Sequence, residues 1–305
     1  MDPIGIVGSG SVARALGRAL YDRGAPVVAL AARDPDRAAR AAEFVGRAVR
    51  RAEFPEIVEL ASHLIVAVSD DAITSVAATL AAAGLRRGVV LHTCGARGPE
   101  ALSPLREAGA ACGVLHPLQT VPSPESGTAR LLQGITFGIG GDPPAVIWGE
   151  AIAGLLDGRV LHVAAGGFPA YHAAAVLAGN AVAALVDGAV VLMGRAGVDA
   201  DTALEALAPL CRASAENVMA VGPVAGLTGP IARGDVATVR EHVQALAGSP
   251  VAELYVAVSQ RLLDLARRRG LDEATRQRIE QVIQAARPGR TDPDAAPLAT
   301  TLTSG

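Results

Sequence analysis

The chain has 305 residues, half of them apolar but only 3% aromatic, with a formal charge of −3. That length leaves room for two domains with cores of their own, while the small charge gives no electrostatic case for nucleic acid or an acidic membrane surface. All 27 basic side chains are arginine, so lysine chemistry is excluded, Schiff bases among it.

The first informative stretch begins at Ile4-Gly5-Ile6-Val7, a short apolar run that reads as a strand. Gly8-Ser9-Gly10-Ser11-Val12-Ala13 follows and opens into a helix through Leu20. In this pattern Gly8 permits a tight turn and Gly10 lets the backbone approach a pyrophosphate. Ala13 lets the helix pack close to the strand, and the helix N-terminus, with Ser9, Ser11 and Val12, supplies N–H groups to phosphate. A dinucleotide is therefore the expected ligand. The second strand, Pro26 to Leu30, ends in Ala31-Ala32-Arg33, with Asp34 one step later. An NAD site wants an acid at the strand's end for the ribose 2′-OH. Asp34 before Pro35 reads instead as a helix N-cap. That frees Arg33 for adenine or a 2′-phosphate, with Arg37 in support. NADP, as NADPH in the reducing direction, is the expected cofactor, and the missing acid also counts against S-adenosylmethionine.

Further apolar runs at His63–Val68, Gly88–His92, Ala110–Leu115, Ile135–Ile139 and Arg159–Val163 read as strands of a sheet covered on both faces. Ligands bind beyond the carboxyl ends of such strands. Ser69, Asp70, His92, Thr93, Cys94, His116 and Gln119 fall at those ends, so they should surround the ribose and nicotinamide portions, with Gln119 available to substrate. His92 and His116 could equally hydrogen-bond a loop carbonyl. Cys94 is read as a small loop residue, since nothing in the sequence stabilises its thiolate.

Gly166-Gly167-Phe168-Pro169 breaks the alternation, and only helices follow, at about 200–220, 236–247, 251–269 and 272–286 after a first long one. That first helix, Ala173 to Met193, is apolar almost all round and long enough to raise a membrane span. Its small side chains, interrupted by Asn180 and Asp187, read better as the buried spine of a helical domain or dimer. His172, Asn180 and Asp187 share one arc of the helical wheel. Asp187 is expected to find an interhelical partner. His172 and Asn180 are candidates for substrate contact, His172 as proton donor and Asn180 as orienter. In Leu227-Thr228-Gly229-Pro230-Ile231-Ala232-Arg233-Gly234-Asp235, Arg233 could fork onto a carboxylate or merely stabilise its own loop. The expected boundaries are a dinucleotide domain at 1–165, a helical substrate and dimerisation domain at 166–286, and a disordered tail at 287–305. Cys94, Cys112 and Cys211 are odd in number and lack C-x-x-C spacing, so neither a disulfide framework nor a metal site is indicated. With no basic, apolar leader at the start, a cytoplasmic protein is expected.

Taken together these pieces resemble a family: the bacterial Rossmann-like oxidoreductases with a C-terminal domain of unknown function 2520. The resemblance covers roughly residues 3–285. It rests on the glycine turn, Ser69-Asp70-Asp71-Ala72-Ile73, His92-Thr93-Cys94-Gly95, Leu115-His116-Pro117-Leu118-Gln119, Tyr171-His172-Ala173-Ala174-Ala175 with Asn180, and the segment from Leu227 to Asp235. Ser69 stands where the family often has Pro, and Cys94 where it often has Ser. The resemblance implies a doubly wound α/β Rossmann-type sheet followed by an all-α domain similar to those of 6-phosphogluconate dehydrogenase, ketopantoate reductase and pyrroline-5-carboxylate reductase. It also implies a homodimer through the helical half. His172 sits about where some of these relatives carry a lysine that this chain lacks. The expected activity is NADP-dependent hydride transfer to or from a small polar C=O or C=N substrate, with His172 or His116 giving the proton. Gln119, Thr228 and Arg233 are the expected substrate contacts. Alternatives are a non-catalytic NADP-binding sensor and hydride exchange with a deazaflavin.

Overall fold

The computed structural model describes residues 1–122 and 128–285; the expected tail lies outside them. Two compact units emerge, Met1–Asn180 and Ala181–Gly305, dividing later than the expected 165/166.

The first unit contains β1 (Ile4–Val7), α1 (Ser11–Asp22), β2 (Val27–Ala31), α2 (Pro35–Val45), β3 (Arg50–Arg51), α3 (Phe54–Leu60), β4 (His63–Val66), α4 (Ile73–Ala82), β5 (Val89–His92), α5 (Ser103–Glu107), β6 (Ala111–Pro117), β7 (Thr136–Gly141), α6 (Pro143–Leu155), β8 (Arg159–His162) and α7 (Phe168–Ala178). The strands form one sheet in the order β3-β2-β1-β4-β5-β6-β7-β8. All neighbours are parallel except β6 and β7, where His116 faces Gly138. The first six positions follow the doubly wound order whose reversal, between β1 and β4, opens a ligand crevice. The two-residue edge strand β3 escaped the sequence pattern because it is too short to show alternation.

Strand residues alternate between two cores, as a period of two requires. Ile4, Ile6, Ile65 and Leu91 pack with Leu16 and Leu20 of α1 and Trp148 and Ile152 of α6. Val7, Leu64, Val66 and Val90 pack with Ile57, Ile73, Leu80 and Leu105 on the opposite face. Each such side chain sealed from water is worth ~1.5–3 kcal/mol. Gly17 allows α1 to sit down on the sheet, since a Cβ there would lie 2.5 Å from the Ile6 Cδ1.

The second unit contains α8 (Asn180–Arg195), α9 (Ala200–Ala225), α10 (Pro230–Arg233), α11 (Val236–Ala245), α12 (Ala252–Arg269) and α13 (Glu273–Ala285). Its core joins Leu227, Ile231, Val239, Val256, Leu263, Ile279 and Ile283. Asp199, Asp235 and Asp272 open helices by accepting from the N–H groups of Thr202, Thr238 and Thr275. α9 runs past the expected 220 to Ala225, across a break at Gly222 (φ 81°, ψ 162°) just before Pro223.

The long apolar helix departs from expectation twice. Gly179 (φ −114°, ψ −76°) divides it into α7 and α8, so the wheel drawn through His172, Asn180 and Asp187 is not one continuous helix. Nor is it a buried spine within one chain. Phe168–Arg195 has a mean hydropathy of 2.0 and is long and apolar enough to cross a membrane, yet only 6% of its most apolar window is buried. Asn180 and Asp187 are both exposed, and Asp187 has no hydrogen-bond partner among the described residues.

Candidate functional site

The glycine turn is built on backbone contact. Gly8 takes φ 132°, and a Cβ on it would strike the carbonyl oxygen of Ala67, just past the end of β4. Only glycine combines that dihedral with that approach. Gly10 is the N-cap of α1, which has neither a side-chain cap nor an acid in its first turn. Its leading N–H groups are therefore open to an anion. A Cβ built on Gly10 meets nothing within 4 Å, so the backbone here faces open space.

That space is a cleft of about 450 Å³, lined by Gly8, Ser9, Gly10, Ser11, Val12, Arg33, Asp34, Arg37, Phe54, Ser69, Asp70, Thr93 and Cys94, among others. At the end of β2, Asp34 is occupied as the N-cap of α2, its Oδ1 accepting from Arg37 N at 2.9 Å. This bond holds its carboxyl below the usual range. Arg33 and Arg37 both reach the cleft. Nearby, partial burial first and then repulsion from Arg37 and Arg40 lower the Arg14 guanidinium, a sign of concentrated positive charge. These features fit a dinucleotide with an extra phosphate on its adenosine ribose. Phe54, at the start of α3, was missed in the sequence. Only its rarity as an aromatic could have drawn notice, because β3 before it carries no pattern.

His92 and Cys94 are held within the fold. His92 is wholly buried and does not line the cleft. Its Nε2 donates to Gly98 O at 3.0 Å, and its Nδ1 accepts from Cys94 N at 3.2 Å. Both ring nitrogens are engaged in shaping the 93–98 loop, the loop-carbonyl role that the sequence also left open for it. The Cys94 thiol is pushed up by burial and then by Asp70, so it stays protonated.

The loop that His92 shapes carries Gly95, where two histidines meet. A Cβ on Gly95 would lie 2.7 Å from His116 Nε2 and 2.7 Å from His172 Cδ2. The two rings stand 5.7 Å apart, edge to face. His116 Nδ1 is 2.8 Å from the hydroxyl of Tyr171, whose ring lies at 90° to it. Tyr171 fits only because Gly138, across from His116 in the sheet, has no Cβ to meet its hydroxyl. Desolvation, then repulsion from His172, lowers His116 to about 4, against a weaker pull upward from Asp70. Burial raises Tyr171 to about 12. Both groups are thus neutral at neutral pH. Tyr171 and Gly95 stood inside recognised motifs, but their contacts span distant parts of the chain and left no local signal.

The remaining candidates are more dispersed. Gln119 is exposed, its Oε1 accepting from Thr120 N at 2.8 Å. Asn180 is exposed at the start of α8. Thr228 and Arg233 belong to the second unit and are exposed there. Among the described residues no group of three or more His, Cys, Asp or Glu could hold a metal.

Residues 2–117 match the Rossmann-like domain family, and residues 135–262 match the domain of unknown function DUF2520. The chain thus carries a Rossmann-like domain followed by a DUF2520 domain. DUF2520 begins within the sheet, at β7, so it takes in the strand that makes room for Tyr171 as well as the helices. Among solved structures, the chain is similar to a Bacteroides fragilis protein described as an NADP oxidoreductase. The identity is 23%, covering 88% of this chain and 97% of that one, with a TM-score of 0.67. It is also similar to a Thermotoga maritima protein at 24% identity, covering 87% and 98%, with a TM-score of 0.65. A reductive aminase from Aspergillus terreus, in complex with NADPH, shares 19% identity over 95% of each chain with a TM-score of 0.56. The chain matches no curated protein. At these identities the likeness is one of fold.

Proposed function

We propose that this chain is an NADP-dependent oxidoreductase that passes hydride to or from a small polar C=O or C=N group. The observation that carries the proposal is the cleft at the β1–β4 reversal, open above Gly10 and bordered by Arg33 and Arg37, with Asp34 already engaged. The oxidoreductase description of the Bacteroides fragilis structure and the NADPH of the reductive aminase support it. In this reading Gly8 to Val12 hold the pyrophosphate. Arg33, with Arg37, binds the 2′-phosphate through charge-assisted hydrogen bonds. Ser69, Asp70 and Thr93 border the ribose and nicotinamide portions. When bound, the reduced nicotinamide supplies hydride. The chain's own task is to orient the acceptor and move a proton, and His172 and His116 are the groups for it. Either His172 or His116 gives the proton in this reading. Asn180 is proposed to orient the polar group, and Gln119, Thr228 and Arg233 to contact substrate.

The same reading makes the protein a cytoplasmic homodimer. Leu204, Leu210 and Met219 of α9 are 51%, 61% and 81% exposed, an apolar display that a second copy would cover. The apolar segment starts with Tyr171 bonded to β6, which suits a subunit contact better than a membrane span. Cys94, Cys112 and Cys211 are all free thiols, in keeping with a reducing compartment.

Titration with NADPH and NADH, following nicotinamide fluorescence, tests the proposal. Tight NADPH and weak NADH binding is expected. Tighter NADH would overturn the cofactor assignment, and binding of neither would overturn the enzyme.

A further inference from the structure

Like charges packed together repel unless an acid stands among them, and α1 shows both cases one turn apart. Arg18 is paired with Asp22 at 2.8 Å. Arg14, one turn nearer the glycine turn, has no carboxylate within ion-pair distance. Nor, among the described residues, have Arg33, Arg37 and Arg40. The Arg14 guanidinium lies over the Phe44 ring of α2, 5.7 Å from its centroid. That stack fixes the group, yet its Nε is sealed from water with no acceptor. Burial first, then Arg37 and Arg40, act against its charge. The same two arginines act on Asp34, at the end of β2 beside Arg33, so the four share one positive region. The acids at hand do not cancel it. Asp34 is spent on capping α2 through Arg37 N, and Asp36 and Glu43 of α2 pair with none of the four. Asp71, which feels the charge of Arg33, is held first by Ser69.

We propose that Arg14 and Arg40 are specificity-determining residues for NADPH: a second rank of uncompensated charge beyond Arg33 and Arg37, which the 2′-phosphate neutralises. This deepens the proposed oxidoreductase function and rests on its cofactor assignment. Neither residue lines the cleft, whereas Arg33 and Arg37 do, so the second rank acts through charge and not through contact. A phosphate monoester carries about −1.5 to −2 at neutral pH. In the free chain the guanidinium groups repel one another. A dianion at the end of β2 sets an attraction against that repulsion, over a reach of roughly 8–10 Å at moderate salt. NADH has only a hydroxyl at the same position and gains nothing from it. Stacking on Phe44 keeps the Arg14 charge from swinging away, so the attraction is ready before the cofactor arrives.

The test uses the full chain, with NADPH and NADH titrated by nicotinamide fluorescence. Arg14→Met keeps an apolar stem on Phe44 and removes the charge. It should weaken NADPH roughly three- to tenfold and leave NADH near wild type. Raising the salt from about 0.05 M to about 0.5 M should narrow the gap between wild type and variant. Arg40→Gln, at an exposed position of α2, should show a smaller loss of the same kind, and it decides the matter if Arg14→Met does not fold. Unchanged NADPH affinity in the variants overturns the inference, as does a loss that salt leaves untouched. Equal losses of NADPH and NADH also overturn it, since Arg14 would then merely brace the glycine turn. Wild-type protein that binds neither cofactor would instead sink the oxidoreductase reading, and a preference for NADH would sink the cofactor assignment.

Discussion

In the first unit Ile4, Ile6, Leu30, Leu64 and Ile65 are all sealed from solvent, whereas the 26-residue α9 of the second seals only Ala203. α8 is similar, burying only Gly188. Both regions are rich in apolar residues, so composition does not separate them. The difference lies in who covers the apolar face. A parallel strand is covered by its own crossover helices, which follow it within the same chain. A helix that is apolar on every side needs neighbours all round. The small core of Leu227, Val256 and Ile279 is built around α10–α13, and α9, which touches α12, keeps most of its side chains exposed. The sheet unit covers most of its own apolar surface, whereas α8 and α9 are left largely bare, the face that the proposed homodimer would cover.

The strongest way to break this contrast is to charge the bare helix. Leu210→Asp with Met219→Asp would forfeit ~1.5–3 kcal/mol of burial at each position in each copy of a dimer. Light scattering should show monomers, and thermal melting should show the helical unit lost before the sheet unit. A dimer that survives intact would mean the apolar face is not the contact. Next in size is Gly8→Val, which puts a side chain at φ 132° against the Ala67 carbonyl. Strain of this kind costs ~1–3 kcal/mol before the clash is counted. NADPH binding should vanish, with a lower Tm for the sheet unit and the helical unit unaffected.

Smaller effects sharpen the picture within the sheet unit. Arg33→Ala removes a charged hydrogen-bond donor worth ~1.5–3 kcal/mol. NADPH should bind roughly ten- to a hundredfold more weakly by fluorescence, with NADH unchanged. Gly95→Ala places a methyl group between the rings of His116 and His172, at a dihedral alanine accepts. Turnover should fall while the NADPH dissociation constant stays near wild type. The last effect is a pH dependence. His116 is lowered from 6.5 to about 4 in the folded chain, so between those values the unfolded chain binds more protons. Stability should therefore rise with pH across that window and fall on acidification toward 4. His116→Gln should flatten this part of the curve in urea melts.

Much of the site was legible from the chain alone where chemistry is local. A turn at Gly8, a helix start at Ser11 and an N-cap at Asp34 are decided by residues within a few positions of each other. So the glycine turn and the choice of Arg33 over an acid could be read directly. His92 shows the limit. Its place at a strand end left ligand contact and a loop hydrogen bond both open; its two ring nitrogens answer to Cys94 N and Gly98 O, and hydrogen-bond geometry decides that. Asn180 and Asp187 show another, because the wheel that aligned them with His172 assumed a helix that Gly179 interrupts.

The sequence by itself determined the strand–helix alternation followed by helices alone, the anion-binding turn and the absence of any lysine acid. Those follow from periodicity, dihedral preference and composition, which each residue carries wherever the chain goes. Only the tertiary structure decided that Tyr171 bonds His116, that Gly138 makes room for it, and that His116 and His172 converge on Gly95. Those contacts join residues from the loop after β5, from β6, β7 and α7, and only the packed fold brings such distant positions together.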